Sequence, residues 1–389
     1  MNKNEMREVI MMNLLTKKEI EEALEYCISQ VDKGMRQFHD GYFPRSSSNN
    51  CYIGGPQGGW TEGFWTGMQW LAYEMTGDEV YRKACEAQVG TFEARIQNKH
   101  GLNHHDMGFL YSLSCVAAYK LTGDEKAKNT ALKSADVLYG RFQKKGGYIK
   151  AWGNMENEIE NRVIVDCYLN LPLLFWASEV TNNPQYRDVA VSHLEATVDV
   201  LIRPDGRAYH TYRMDLKNGN PVMPVTGQGY SAESVWSRGQ AWVIYGLALA
   251  YRYTGNEHYA EIQKKAARKF LELLPEDHVP AWDMVFTDTR TLKDTSAAVI
   301  AVCGLLEMNR LLGNHEEAHV WEQKAHEMLR VLIAEHTTKD LKIDTSAVLM
   351  HGTGAAMAEN SSNEPLIFVD YFYMEALVRL LKPDWVCYW

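Results

Sequence analysis

The chain has 389 residues, 46% hydrophobic and 23% charged, which are globular values, and it has no unbroken apolar run near the ~18 residues that a membrane span requires. A formal charge of −10 argues against a nucleic-acid or anionic-membrane surface, since both need clustered Lys and Arg; an anionic substrate would have to be drawn in by a local pocket against the overall field. Seven cysteines, odd in number, widely spaced and without CxxC pairs, read as buried thiols of a reducing compartment, and the first residues lack a signal-peptide pattern, so a cytoplasmic protein with a loosely ordered leader at 1–14 is expected.

In chain order, Thr16 to Phe38 places Ile20, Ala23, Leu24, Cys27, Val31, Met35 and Phe38 on one stripe, the pattern of an amphipathic helix with one wet side. Trp60 to Met75 is apolar around the whole cylinder, so that helix is expected to be buried on every side. It stops at Thr76-Gly77-Asp78, and a striped, charged helix follows. The same unit recurs, with turns at Thr122-Gly123-Asp124, Thr181-Asn182-Asn183, Thr254-Gly255-Asn256 and Leu312-Gly313-Asn314; Gly or Asn takes the left-handed position after one helix and Asp or Asn caps the next. Hairpins recurring every roughly 45 to 75 residues indicate a repeat fold. The chain begins with one unpaired outer helix and finishes with one unpaired inner helix, Val369 to Leu381, and together these make a sixth hairpin. An open solenoid would want polar caps instead. The expectation is therefore an all-α protein, an (α/α)6 barrel of six helical hairpins with long loops on one rim, spanning 1–389 as a single domain.

All inner helices then run the same way, and their N-termini share that rim. Three irregular stretches also reach it: 144–161 with Trp152, 203–236 with His210 and Gln228, where a short hairpin is expected, and 339–365. Long loops on one face are usually functional.

Asp106 and Asp166 stand at the thresholds of consecutive inner helices and can approach each other across a pocket. Paired carboxylates in a chain with 11 Trp and 21 Tyr suggest sugar chemistry. An ordinary N-cap is the alternative for Asp106. Asp166 follows Val163-Ile164-Val165, an apolar setting that favours a protonated carboxyl and suits a general acid; an ion pair with Arg162 or Arg238 is its alternative. His104-His105 have no HxxxH or HxxE partner, so no metal is expected, and no dinucleotide, Walker or nucleophile-elbow motif is present. Trp60, Trp65, Trp152, Trp236 and Trp242 could stack on a pyranose or serve as core, and Arg238 could hold a carboxylate ligand or a structural acid.

Four segments carry a resemblance: Asn-His-His-Asp-Met-Gly-Phe at 103–109, Asp-Cys-x-x-Asn-Leu-Pro-Leu-Leu at 166–174, Gln-Gly-Tyr-Ser-x-x-Ser-x-Trp-Ser-Arg-Gly-Gln-Ala-Trp at 228–242, and Asp-Tyr-Phe-Tyr-x-Glu-Ala-Leu at 370–377. Over essentially its whole length the chain resembles the unsaturated glucuronyl hydrolases, family 88 of glycoside hydrolases. That resemblance implies an (α/α)6 barrel acting on unsaturated uronyl disaccharides and short oligosaccharides left by lyases from glycosaminoglycans, without metal or organic cofactor. It implies hydration of the C4=C5 double bond, with Asp166 as proton carrier and Asp106 holding sugar hydroxyls. Trp60, His105, Trp152, His210, Gln228, Arg238 and Trp242 would contact substrate.

Members active on sulfated fragments carry Ser and Lys in the late loop and an Arg before the third motif. Here 355–361 has no Lys and includes Glu359, and Pro224-Val225-Thr226-Gly227 has no Arg, so a preference for unsulfated fragments is expected. Rival readings are an unsaturated rhamnogalacturonyl hydrolase, a sugar epimerase on the same barrel, and a helical-repeat binding scaffold.

Overall fold

The computed structural model describes residues 14–39, 41–313, 315–357 and 362–389, so all but the last residue of the expected leader, the expected cap Asn314, and Glu359 lie outside the described residues. Among the described residues, six outer helices form a shell: α1 (Lys17–Gln37), α3 (Glu79–Gln97), α5 (Glu125–Tyr139), α7 (Pro184–Leu201), α9 (Glu257–Leu273) and α11 (Glu316–Glu335). Six inner helices line the core: α2 (Glu62–Thr76), α4 (residues 107–122), α6 (residues 165–181), α8 (Ser237–Thr254), α10 (Thr295–Leu312) and α12 (Ile367–Leu381). Each inner helix packs on the next, and α12 touches both α10 and α2, so the ring closes. α1 packs against α12, which makes the sixth hairpin from the two ends of the chain. An open scaffold is thereby excluded. By length and composition α10 could cross a membrane, yet it is a core helix enclosed by its neighbours.

The repeated turn works as its residues dictate. Gly77, Gly123, Asn182 and Gly255 take φ of 71°, 73°, 53° and 64°, and Asp78, Asp124, Asn183 and Asn256 each accept a backbone N–H two residues on. The preceding Thr adds a clasp: Thr76 Oγ1 donates to the Ala72 carbonyl and accepts from the Asp78 N–H. Two inner helices depart from α geometry beside the rim. α4 contains a π-helical turn at Ser112–Val116, and α6 begins as a 3₁₀ turn at Val165–Leu169 before Pro172–Thr181.

The rim carries strands that an all-α expectation omits. β1 (Tyr42–Ser48) and β2 (Cys51–Pro56) form a hairpin whose turn residues Asn49 and Asn50 have φ of 52° and 59°. β3 (Phe142–Gln143) pairs with β4 (Tyr148–Ile149). β5 (Arg162–Ile164), β6 (Thr211–Met214) and β7 (Pro221–Val225) build a three-stranded antiparallel sheet that includes the expected hairpin. β8 (Gly352–Thr353) pairs with β9 (Ser362–Glu364) in the late loop.

The opposite end of the ring is closed by 385–389. Trp389 stacks on Phe372 at 5.9 Å and 10°, its carbonyl accepts from Arg252 and Tyr253, and its indole donates to Glu375.

α4 and α6 meet at Gly108. A Cβ there would come within 2.5 Å of the Asn170 Cα, while Asn170 Oδ1 accepts the Phe109 N–H at 2.9 Å. Gly108→Ala is expected to cost about 1–3 kcal/mol through overpacking and to push the helix behind Asp106 away from the one that carries Asp166. The urea midpoint and kcat should both fall; an unchanged midpoint would show that the helices have room.

Candidate active site

A cavity of about 420 Å³ opens at the rim. One wall is the β5–β6–β7 sheet. Side chains alternate along a strand, and the register aligns Arg162 with Arg213, and Ile164 with Thr211 and Val225, so these five share one face, which lines the cavity. The other walls are Trp60, Trp152, His210, the Thr226-Gly227-Gln228 turn, Trp236 and Arg238, with Trp242 beneath.

Asp166 is the one carboxylate lining this cavity among the described residues. Its side chain keeps 20% exposure, so it is open to the cavity rather than enclosed by the apolar neighbours that its sequence suggested. The 3₁₀ turn explains this: Val163 and Val165 point into the core, and Asp166 points the other way. Behind it, His105 Nε2 lies 3.2 Å from Asp166 Oδ1 and 3.4 Å from Asp106 Oδ1. Burial works against a charge on His105, but the Asp166 and Asp106 carboxylates outweigh it and hold the imidazolium well above the usual histidine range. Burial likewise opposes the Asp106 charge; His105, His104 and Arg141 together win and keep that carboxyl below its ordinary value.

The division of the two aspartates is therefore one of depth. Asp106 is 2% exposed and His105 is fully buried, and neither lines the cavity. Both were expected at the substrate; Asp166 faces the cavity, and Asp106 stands behind His105. The reason is local: the chain before α4 is pinned by His105 N–H to the Ala151 carbonyl, and Asp106 turns back toward His104 Nδ1 at 3.2 Å. Asp106 stands at the N-cap position without making a capping bond, so the ordinary cap reading fails too. His105, Asp106 and Asp166 place donor atoms within 4.8 Å of one another, a spacing that metal ligands also show, and His105 Nε2 engages both carboxylates at ion-pair distance.

His210 is buried, and desolvation together with Arg238 and Arg162 pushes it down to about 3. Its Nδ1 accepts the Gly227 N–H at 3.1 Å, which leaves the ring N–H on Nε2. Gln228 donates to the Gly354 carbonyl at 2.6 Å. Arg238 donates to Asp294 at 3.1 Å, to Ser296 at 3.0 Å and to the Thr353 and Gly354 carbonyls, so of its two expected roles the structural pairing is the one realised, although the side chain still lines the cavity. Asp283 accepts the Tyr230 and Val235 N–H groups and the Ser234 hydroxyl, and so fixes the 228–235 loop. Trp152, 37% exposed, stacks on His104 at 4.8 Å, and Arg141 clamps its loop through the Lys150 and Gly153 carbonyls.

Seven expected residues thus gather on the cavity: Trp60, Trp152, Asp166, His210, Gln228, Arg238 and Trp242. Trp65 is core, edge-on to Phe38, whereas Trp236 reaches the site. Sequence reasoning passed over Arg213, Thr211 and Ile164. The sequence carried no usable signal for them, since the strands that bear them are only three and four residues long.

Comparison with known proteins identifies relatives of this chain. The model of Glycosyl Hydrolase Family 88 matches residues 20–372. An unsaturated chondroitin disaccharide hydrolase of Streptococcus agalactiae is 42% identical over 97% of this chain and 94% of its own. The crystal structure of an unsaturated glucuronyl hydrolase from S. agalactiae superposes with a TM-score of 0.93, at 42% identity over 97% of this chain and 95% of that one. That from Bacillus sp. GL1 gives 0.91, at 38% identity over 95% and 99%. The S. agalactiae enzyme has also been solved with one Asp→Asn substitution or another, at two positions as far apart along its chain as Asp106 and Asp166 are here. With a matching family model over nearly its whole length and relatives of this identity, the chain belongs to glycosyl hydrolase family 88.

Proposed function

We propose that the protein hydrates the C4=C5 double bond of a terminal unsaturated uronic acid and so releases the adjoining sugar from lyase-generated glycosaminoglycan disaccharides and short oligosaccharides. The observation that carries this is the single carboxylate on the cavity wall. Direct glycosidic displacement needs two carboxyl groups facing the sugar, about 5–9.5 Å apart; here the second one is sealed behind His105. Hydration of an enol ether needs only one. Asp166 passes to C4 a proton that the His105 imidazolium behind it, 3.2 Å away, supplies; charge develops at C5 and the ring oxygen, and water adds to C5 while returning a proton through Asp166 to His105. The resulting hemiketal opens, and the sugar leaves with its oxygen protonated. Asp166 ends as it began.

The other residues serve this step by placement. His105 braces Asp166 from behind, with Asp106 bracing His105. His210 offers an N–H, and the Trp60, Trp152 and Trp242 rings bound the space a sugar would fill. Relatives support the substrate class: chondroitin disaccharide hydrolases are named among them, and an S. agalactiae enzyme was solved with dGlcA-GalNAc6S. Seven unpaired cysteines support a cytoplasmic setting.

The test is loss of the ultraviolet absorbance of the conjugated double bond. Unsaturated chondroitin disaccharide should lose it on incubation with the protein, faster than an unsaturated rhamnogalacturonyl disaccharide does. Retained absorbance with every glycosaminoglycan fragment would overturn the proposal, and an epimerase would leave the absorbance untouched.

A further inference from the structure

The sheet wall carries two guanidinium groups that the proposed hydration step does not use. Arg162 and Arg213 are register partners on adjacent antiparallel strands, so their side chains stand side by side on the face that lines the cavity. Among the described residues no carboxylate pairs with either, although the chain holds 50 acidic residues and 40 Lys and Arg, and most other arginines of the rim are engaged. Arg162 Nε is buried without a hydrogen-bond partner. Like charges directly opposite one another weaken a sheet, and an unmade bond to a buried guanidinium adds to the cost. An anion between the two would remove both penalties.

Their position says which part of the substrate would bring that anion. Ile164, two residues before Asp166, lines the cavity near the proton carrier, and Arg162 lies two residues further back. At about 3.3 Å per residue that is roughly 6.6 Å along the strand, about the length of one sugar ring. Arg213 is exposed and marks the outer edge. With the unsaturated ring at Asp166, the guanidinium pair faces the next sugar.

We propose that Arg162 and Arg213 form an anion subsite for a charged group on the leaving side of the substrate, either a sulfate ester on the amino sugar or the carboxylate of a further uronate. The inference rests on the hydrolase reading for which sugar is placed there. It also reverses the expectation drawn from the late loop and from 224–227: the cations missing from those segments stand on β5 and β6 instead. A fork of two guanidiniums suits a sulfate or carboxylate bidentately.

Two measurements test it. In the first, quenching of tryptophan fluorescence reports binding of N-acetylgalactosamine 6-sulfate and of neutral N-acetylgalactosamine, with no turnover needed. Wild type should hold the sulfated sugar about tenfold more tightly, and the preference should vanish in Arg162→Gln/Arg213→Gln and shrink in Arg213→Gln alone. Equal affinities in wild type, or a preference that survives the double substitution, would overturn the subsite. In the second, kcat/KM is compared for the unsulfated disaccharide, its 6-sulfated form and an unsulfated tetrasaccharide. Wild type should favour the charged forms, and Arg213→Gln should lower the ratio of charged to uncharged by about tenfold; which ratio falls tells sulfate from carboxylate. A loss equal for all three substrates would assign the pair to the reacting uronate and overturn its place on the leaving side. No turnover of any of them, with the binding preference intact, would remove the hydrolase reading alone.

Discussion

Asp166→Asn is expected to fold as the wild type does and to lose roughly 10³–10⁴-fold in kcat/KM, the scale of a positioned proton donor and acceptor. The amide keeps the shape of the carboxyl and can still meet His105, which lies 3.2 Å away, so the ring bracing the site should stay in place. What disappears is the one carboxylate that faces the cavity among the described residues, the group placed to carry a proton to C4 and to receive one from water. The loss should fall on kcat with KM little changed, because Trp60, His210 and Trp242 still bound the sugar. The absorbance assay reads it directly. If Asp166→Asn kept a tenth or more of the activity, the proton carrier would have to be sought elsewhere; if Asp106→Asn abolished activity while Asp166→Asn did not, the depth argument would be inverted.

The second large effect is on stability and lies at the other end of the barrel. Arg379 on α12 donates to Glu375 at 3.0 Å, to Glu307 on α10 at 2.6 Å and to the Tyr245 hydroxyl on α8 at 2.7 Å, all of them buried. One side chain thus ties three consecutive core helices together. Arg379→Leu leaves two buried carboxylates short of their partner, and loss of about 3–5 kcal/mol is expected. Glu307 keeps Arg310 at 2.6 Å, which sets that figure below the cost of a wholly unpaired charge. Arg379→Lys should be intermediate, since an ammonium cannot reproduce the fork. The pH dependence has a definite sign. Although burial opposes its charge, Arg379 and its neighbours lower Glu307 from 4.5 to about 2. Its contribution is present above the unfolded value near 4.5 and is lost as pH falls toward 2. Wild type and Arg379→Leu should therefore converge in urea midpoint at low pH and separate at neutrality. A constant difference would assign the effect to packing.

The barrel was legible because its signal is local and repeated. A Thr-Gly-Asp turn uses neighbouring residues to end one helix and begin another, so its two copies and three variants located the hairpins without any knowledge of their packing. The rim sheet was not legible in the same way. β5 has three residues and β6 four, and β7 is interrupted by Pro221 and Pro224, so no segment reaches the length at which alternation stands out. Depth was the other hidden quantity. Asp106 and Asp166 look equivalent in sequence, each at a helix threshold, but one precedes an α turn and the other lies inside a 3₁₀ turn. That offset of less than one turn puts one carboxylate on the cavity and the other behind a histidine. Arg213 was hidden for the same reason as the sheet that carries it.

The plug at 385–389 bears on how a polymer could be attacked. Trp242 beneath the cavity packs on Phe372, and Phe372 stacks on Trp389, so among the described residues the space inside the ring is open at the rim and filled at the other end. A long chain cannot thread through a blind recess or lie across it with its middle at Asp166. It enters tip first, gives up one terminal residue, and must back out before the next tip is seated. A recess closed on that side presents Asp166 to the end of a substrate, and both products leave by the way the substrate came.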